Sequence, residues 1–115
     1  SMAVLSYDNA IASVKTAAME VDGGDRRHLV VCGTEGTFQI QPLDNPSAKV
    51  VLSEARAGYK KGAQEIKFPR YNRYVGDAAD MARVIHGEKP SDFTPQHDLA
   101  VQETLLKACG LPTGS

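Results

Sequence analysis

The sequence predicts an α+β fold: a mainly antiparallel, open β-sheet followed by two C-terminal helices that pack on one of its faces. Strand-like segments fill the first two-thirds of the chain, and the last third changes to a helical period. Strands followed by helices are the order typical of α+β domains. One layer of helices covers one face of a sheet, so we expect the other face to meet solvent, another domain or a second copy.

Chain length and net charge limit the number of domains and the kinds of partner that we expect. The 115 residues predict a single domain over residues 3–112, with residues 1–2 interpreted as the remnant of an expression tag. Thirteen basic and 14 acidic residues give a net charge of −1, which predicts neither a nucleic-acid nor a membrane-surface partner. Absence of an apolar run of roughly 20 residues argues against a membrane span. Since no signal peptide is visible, a cytoplasmic location is expected.

Turn residues divide the strand region. A glycine pair predicts a hairpin turn at residues 22–25, between strands over 11–21 and 26–32. A second turn is predicted at Gly33–Gly36. In the following Thr37–Gln41, apolar and polar residues alternate, as in a strand with one solvent-exposed face. This turn is interpreted as a hairpin rather than a phosphate cradle. Two further strands are predicted over 49–54 and 64–68.

Two helices are predicted in the last third. Apolar residues recur every three or four positions from Tyr74 to Ile85, with Asn72 as the predicted N-cap and Gly87 just after the end. The second helix opens at Thr94 with proline at its first position, and it runs to about Cys109, where Gly110 and Pro112 end it.

Asp98 and His97 are the candidate residues of the second helix. Asp98 projects inside the apolar arc, so it is predicted to be a buried structural acceptor, with a proton-handling acid as the alternative. His97 lies at the rim of this arc, where a surface role and a site role both stay open. The two cysteines, Cys32 and Cys109, are predicted to be buried small hydrophobes in a reducing compartment, without a disulfide or metal site.

The junction before the first helix is rich in groups that bind carboxylates or hydroxyls. Arg70, Tyr71 and Arg73 stand together there, and with His97 they are the candidates to face a substrate or partner. A plain helix-start network is the alternative. Sequence motifs for catalysis are absent, so no catalytic, cofactor-binding or metal-binding residue is predicted.

Two segments carry a resemblance to a known family. The tail from Asp77 to Pro90 with Gln96 to Leu106, and the earlier Val30–Thr37, resemble the C-terminal domain of the Gfo/Idh/MocA oxidoreductases, relatives of glucose-fructose oxidoreductase and inositol dehydrogenase. The resemblance implies a parent with an N-terminal Rossmann domain that binds NAD or NADP, a domain missing from this chain. Glu88–Lys89–Pro90 follows a C-terminal helix, so no catalytic role is transferred to Lys89.

The resemblance implies a part of an enzyme that is inactive alone. The chain would supply a substrate wall and an oligomerisation surface to an NAD(P)-dependent enzyme acting on a sugar or polyol, and it would bind no cofactor itself. The alternative is a free-standing binding or dimerisation module without an enzymatic parent. In either case a twofold homodimer is expected through the open sheet face. The residues predicted on that face are Thr37, Gln39, Gln41, Lys49, Val51, Ser53, Glu65 and Lys67.

Overall fold

The structure, a computed structural model, describes residues 1–69 and 71–114. It is an α+β fold with two antiparallel sheets, which confirms the predicted class. The elements are, in chain order, β1 (Met2–Tyr7), β2 (Ala10–Lys15), α1 (Gly23–Arg26), β3 (Leu29–Gly33), β4 (Gly36–Ile40), β5 (Ser47–Leu52), β6 (Gly62–Lys67), α2 (Val75–Ile85) and α3 (Pro95–Ala108).

The chain forms two compact units. The first joins residues 1–17 to 73–115 and contains β1, β2, α2 and α3; the second spans residues 18–72 and contains α1 and the four remaining strands. A contact unit is not by itself a folding domain, so the single domain predicted over residues 3–112 stays a prediction.

The two-stranded sheet of the first unit is a hairpin that the sequence interpretation missed. β1 pairs antiparallel with β2 from Met2–Lys15 to Tyr7–Ala10, and Asp8 and Asn9 alone make the turn. A two-residue turn with asparagine or aspartate is a typical hairpin connection. The segment predicted as one strand over 11–21 therefore ends at Lys15, and its partner precedes it in the chain.

The predicted turn at residues 22–25 is wrong. The chain there forms the single helical turn α1, in which the Arg26 amide donates to the Asp22 carbonyl. The Arg26 guanidinium lies 2.6 Å from the Glu20 carboxylate, so an ion pair spans this turn. Since β2 is already paired with β1, the segment before α1 is not the hairpin partner of β3.

The four strands of the second unit follow one another as a meander, in the order β3–β4–β5–β6. Their register separates the side chains into an apolar face and a mixed face. The apolar face includes Phe38, Val50 and Ile66, and at its centre lie the two buried hydrophobic residues of the described chain, Ala48 (3% exposed) and Val50 (9% exposed). The small core of this unit is therefore centred on β5.

The helix ends follow the predicted chemistry at three of four positions. Thr94 caps α3 by accepting the His97 amide through its hydroxyl, and Pro95 occupies the first turn. Gly87 and Gly110 follow the two helices with φ of 74° and 70°, a left-handed conformation that glycine adopts without a Cβ clash. The exception is the start of α2, where Tyr74 rather than Asn72 is the N-cap, and no side chain caps the helix.

Candidate functional site

The mixed face of the four-stranded sheet carries a row of polar side chains. Gln39, Lys49 and Glu65 lie side by side across β4, β5 and β6, because the register pairs Gln39 with Lys49 and Lys49 with Glu65. In the described residues none of these three side chains takes part in a hydrogen bond or ion pair within the second unit. They line a shallow groove of about 630 Å³ with Gln41 and Asn45.

An apolar cluster adjoins this polar row on the same face. Thr37 pairs with Val51, which pairs with Ala63, and the neighbouring strand adds Cys32 opposite Thr37 and Val30 opposite Gln39. Val30 is 44% exposed and Val51 is 38% exposed. A mixture of apolar and polar side chains is usual in protein–protein interfaces, which as a whole are about as apolar as other protein surface. We call the residues of the two rows together the mixed face.

Most residues predicted on the open face of the sheet do share it. Thr37, Gln39, Lys49, Val51 and Glu65 lie in the rows just described, and Lys67 pairs with Ser47 at the end of β6 on the same face. Gln41 and Ser53 fall one residue beyond the ends of β4 and β5. The side-chain period of two is sufficient for this placement once the strands are recognised.

The Gly33–Gly36 segment is the predicted hairpin turn, and an ion pair lies beside it. The Glu35 carboxylate binds the Arg56 guanidinium through both of its oxygens, and this raises the pKa of Arg56. Ser53 donates its amide and its hydroxyl to the Glu35 carbonyl at 2.9 and 3.0 Å. The Glu35 carboxylate would repel a bound anion, so the geometry favours a turn over a phosphate site.

An apolar groove of about 450 Å³ lies within the first unit, between the β1–β2 hairpin and α3. Ala3 and Leu5 from β1 and Val14 from β2 line one wall. Positions spaced three and four apart on α3 line the other wall: His97, Ala100, Val101, Thr104, Leu105 and Ala108. Val101, Leu105 and Ala108 belong to the apolar arc predicted for the second helix, whereas Ala100 and Thr104 were not predicted in it.

Asp98 is not the buried acceptor that was predicted. Its side chain is 72% exposed, and its closest polar contact is the neighbouring His97 ring, whose Nδ1 lies 3.4 Å away. Helical phase gives the direction of a side chain but not whether another element packs there. His97, in the first turn of α3, lines the groove, whereas Asp98 next to it is exposed to solvent. The negative charge of Asp98 lies near the unpaired amides of the helix start.

The structure does not gather the four substrate-facing candidates into a described cluster. Arg70 lies outside the described residues. Tyr71 belongs to the second unit and is 69% exposed. In the first unit, the Arg73 guanidinium lies 4.8 Å from the centre of the Tyr74 ring, a cation–π contact, and the His97 ring lies 5.1 Å from that of Phe93.

Both cysteines are exposed, so the prediction of two buried small hydrophobes is wrong. Cys32 lies on the mixed face of β3, where alternation turns it away from the apolar face. Cys109 is the C-cap of α3 and borders the apolar groove. An apolar run in the sequence did not reveal which of its alternate residues faces outward.

Lys89 belongs to a cluster of charges that the sequence interpretation missed. Its ammonium donates to carboxylate oxygens of Asp80 and Asp92, at 2.7 Å each, and its side chain is 18% exposed. The two hydrogen bonds raise the pKa of Lys89. Lys89 and Asp92 lie outside the helices, and Lys89 is nine residues from Asp80, so only the folded loop after α2 brings these groups together.

Two kinds of site receive no support from the described chain. Among residues 1–69 and 71–114 there is no group of three or more His, Cys, Asp or Glu side chains placed to hold a metal ion. In the same residues, no helix has the length and apolar character needed to cross a bilayer.

Comparison with protein-family profiles, curated proteins and solved structures finds no match for this chain. The resemblance to the Gfo/Idh/MocA oxidoreductases therefore stays a hypothesis carried by the sequence motifs alone.

Proposed function

We propose that this chain is the association and substrate-wall part of an NAD(P)-dependent oxidoreductase of the Gfo/Idh/MocA type, acting on a sugar or polyol. The observation that supports the proposal most is the mixed face. On this open sheet surface, exposed valines lie beside a row of polar side chains that form no hydrogen bond or ion pair in the described part of their unit. On this proposal the chain contributes surfaces, and the hydride chemistry belongs to the nicotinamide bound elsewhere in the enzyme.

The composition of the mixed face supports association of identical copies. Val30 on β3 and Val51 on β5 supply exposed apolar side chains, and Lys49, Glu65 and Lys67 supply charges of both signs on the same face. A twofold axis brings the same patch of two copies together, so lysines of one copy can meet a glutamate of the other. The proposed assembly through this surface is therefore a homodimer with the two sheets face to face.

The substrate-wall part of the proposal rests on Arg73 and His97. Within the first unit, no ion pair in its described part engages the Arg73 guanidinium, which lies over the Tyr74 ring with its edge available for hydrogen bonds. His97 is half-exposed at the mouth of the apolar groove. Guanidinium and imidazole groups both bind hydroxyl and carboxylate oxygens, the polar groups of sugars, polyols and their acids.

The residues present do not fit a dinucleotide. Pyrophosphate binding in a Rossmann domain needs a parallel strand pair whose first strand runs through a glycine-rich turn into a helix. In the described residues every strand pair is antiparallel, and no strand leads through a glycine-rich turn into α2 or α3. The cofactor would have to come from the missing domain, so isothermal titration of this chain with NAD or NADP is expected to give no saturable heat.

Sedimentation equilibrium tests the association surface. Lys67→Glu reverses a charge on the mixed face and is expected to weaken self-association while leaving the fold intact, since Lys67 has no ion pair in the described part of its unit. Lys61→Glu is the matched control: it makes the same change in net charge in the exposed loop before β6. Equal association of the two variants would refute the proposed surface.

The complete open reading frame tests the oxidoreductase parent. We expect an in-frame dinucleotide-binding segment upstream of this region. A reading frame without such a segment would refute the enzymatic parent and favour the free-standing module.

A further inference from the structure

The free edge of β1 carries a regular row of backbone groups that the hairpin does not use. Ser1 and Thr16 exchange two backbone hydrogen bonds, the Ser1 ammonium donating at 2.7 Å and the Thr16 amide at 2.9 Å. In an antiparallel pair, such doubly bonded positions alternate with unbonded ones. The register therefore directs the amides and carbonyls of Met2, Val4 and Ser6 away from β2, toward the edge.

β1 lacks two features by which proteins protect an exposed edge strand. Its six residues include no proline and no charge, whereas β2 carries Lys15. Edge strands that stay unpaired are usually interrupted by such residues. A two-stranded sheet alone is marginally stable in water, and either further strands with an apolar face or a packed helix stabilises it. The β1–β2 hairpin has that face, formed by Ala3, Leu5 and Val14 along the groove.

We propose that β1 pairs antiparallel with β1 of a second copy, with Val4 opposite Val4 of the partner subunit. The outward groups at positions 2, 4 and 6 are symmetric about Val4, so a twofold axis there pairs all of them: Met2 with Ser6 of the partner subunit, and Ser6 with Met2 of the partner subunit. An axis at Leu5 would pair Val4 with Ser6 of the partner subunit but leave the outward groups of Met2 opposite the hairpin turn. An axis at Met2 or Ser6 would leave outward groups unpaired.

The pairing produces a four-stranded antiparallel sheet from two hairpins. An axis perpendicular to the sheet keeps the same face of both hairpins on one side, so the apolar faces that line the two grooves become continuous. The α3 helix of each copy, which lines that groove, then lies on the same side of the joined sheet. Three or more strands with one apolar face covered by a helix form a stable two-layer unit.

This inference uses residues of the first unit alone and does not depend on the mixed face, which belongs to the second unit. With both surfaces in use, the wild-type chain assembles beyond a dimer. Val4→Lys removes edge pairing and leaves a dimer through the mixed face. Lys67→Glu leaves a dimer through the edge, and the double variant is a monomer.

Sedimentation equilibrium of the full chain with Val4→Lys tests the edge. Two copies of the new lysine would meet at the twofold axis, and like charges directly opposite each other destabilise a strand pair. Ser13→Lys is the matched control, because Ser13 pairs with Val4 inside the hairpin and places the same charge on the same face of β2. We expect Ser13→Lys to keep the wild-type mass and Val4→Lys to lose one association step. Equal masses for the two variants would overturn the proposal, whatever Lys67→Glu does.

Hydrogen exchange of the unmodified chain is the second measurement, and it does not rely on a variant that folds. The amides of Val4 and Ser6 are expected to exchange slowly in concentrated protein and fast after dilution. The outward amides of Ile11 and Ser13 on β2 are expected to exchange fast in both samples. Fast exchange at Val4 in the associated protein, or concentration-dependent protection at Ser13 instead, would overturn the proposal.

Discussion

The ammonium of Lys89 donates to the carboxylate of Asp80 across 2.7 Å, and this contact ties α2 to the segment that follows it. Asp92 accepts a second hydrogen bond from the same ammonium, so one lysine joins the helix and the loop on both sides of Pro90. These two hydrogen bonds hold the loop after α2 to the helix, so Lys89 is expected to stabilise the first unit.

Replacing Lys89 by methionine is expected to destabilise the chain in a pH-dependent way. The carboxylates raise the pKa of Lys89, so the stabilisation is fully present below the ordinary lysine value of 10.5 and disappears as the pH rises through the higher folded value. Urea unfolding of the wild type and Lys89→Met should differ in midpoint at neutral pH and converge in strong alkali. Lys61→Met, in an exposed loop, serves as the control. A midpoint difference independent of pH would contradict the ion-pair account.

Gly36 is the glycine whose replacement should harm the four-stranded sheet. A Cβ added there would lie 2.5 Å from the Val51 carbonyl oxygen and 2.8 Å from a Leu52 methyl group, so backbone must move. We expect Gly36→Ala to lower the free energy of unfolding by about 1–3 kcal/mol. Gly33, its partner across β3 and β4, has its closest such contact at 3.5 Å, and Gly33→Ala is the control. Equal unfolding midpoints in urea would show that the close approach of β4 and β5 is absent.

Thr94 should contribute to stability through its cap. Its hydroxyl oxygen accepts the His97 amide at 3.2 Å, one of the amides that a helix start leaves without a partner. Thr94→Ala is expected to cost about 1 kcal/mol in the free energy of unfolding. Thr104→Ala is the matched control, since the Thr104 hydroxyl donates to the Ala100 carbonyl in the middle of the same helix, where such a bond stabilises little. Thermal unfolding that ranks the two variants the other way would contradict the cap.

The stability of an Asp98 variant shows whether this side chain is exposed, as in the structure, or buried, as the sequence predicts. Because its side chain is largely in solvent, Asp98→Ala should change the free energy of unfolding by about 0.5 kcal/mol or less. A buried acceptor would instead leave its donors unsatisfied, at a cost of about 1–3 kcal/mol. Urea unfolding followed by circular dichroism separates these outcomes, and a loss in the larger range would restore the original interpretation.

Local chemistry was enough to predict much of the fold. The alternation of Phe38 and Ile40 with Thr37 and Gln39 predicted β4 and its two faces, and proline and glycine positions predicted both ends of α3. The β1–β2 hairpin was missed because its partner strand starts at the first residues of the chain, which had been interpreted in part as a tag remnant.

Features that depend on packing could not be predicted. Helical phase placed Asp98 inside an apolar arc, but only the folded unit shows that Asp98 does not line the groove and is exposed to solvent. The contact of Lys89 with Asp80 and Asp92 depends on the path of a loop, for which sequence spacing carries no signal. The same holds for Cys32, whose exposure follows from the pairing of β3 with β4.

The accessibility of the Cys32 thiol reports association through the mixed face. The unmodified chain has two exposed thiols: Cys32 lies on the mixed face, and Cys109 lies at the end of α3 in the other unit. Each thiol would be labelled with a maleimide and followed by mass spectrometry, at protein concentrations below and above the association midpoint. If the chain associates through the mixed face, Cys32 reacts more slowly in the associated protein while Cys109 keeps its rate. An unchanged Cys32 rate in demonstrably associated protein would contradict association through this face.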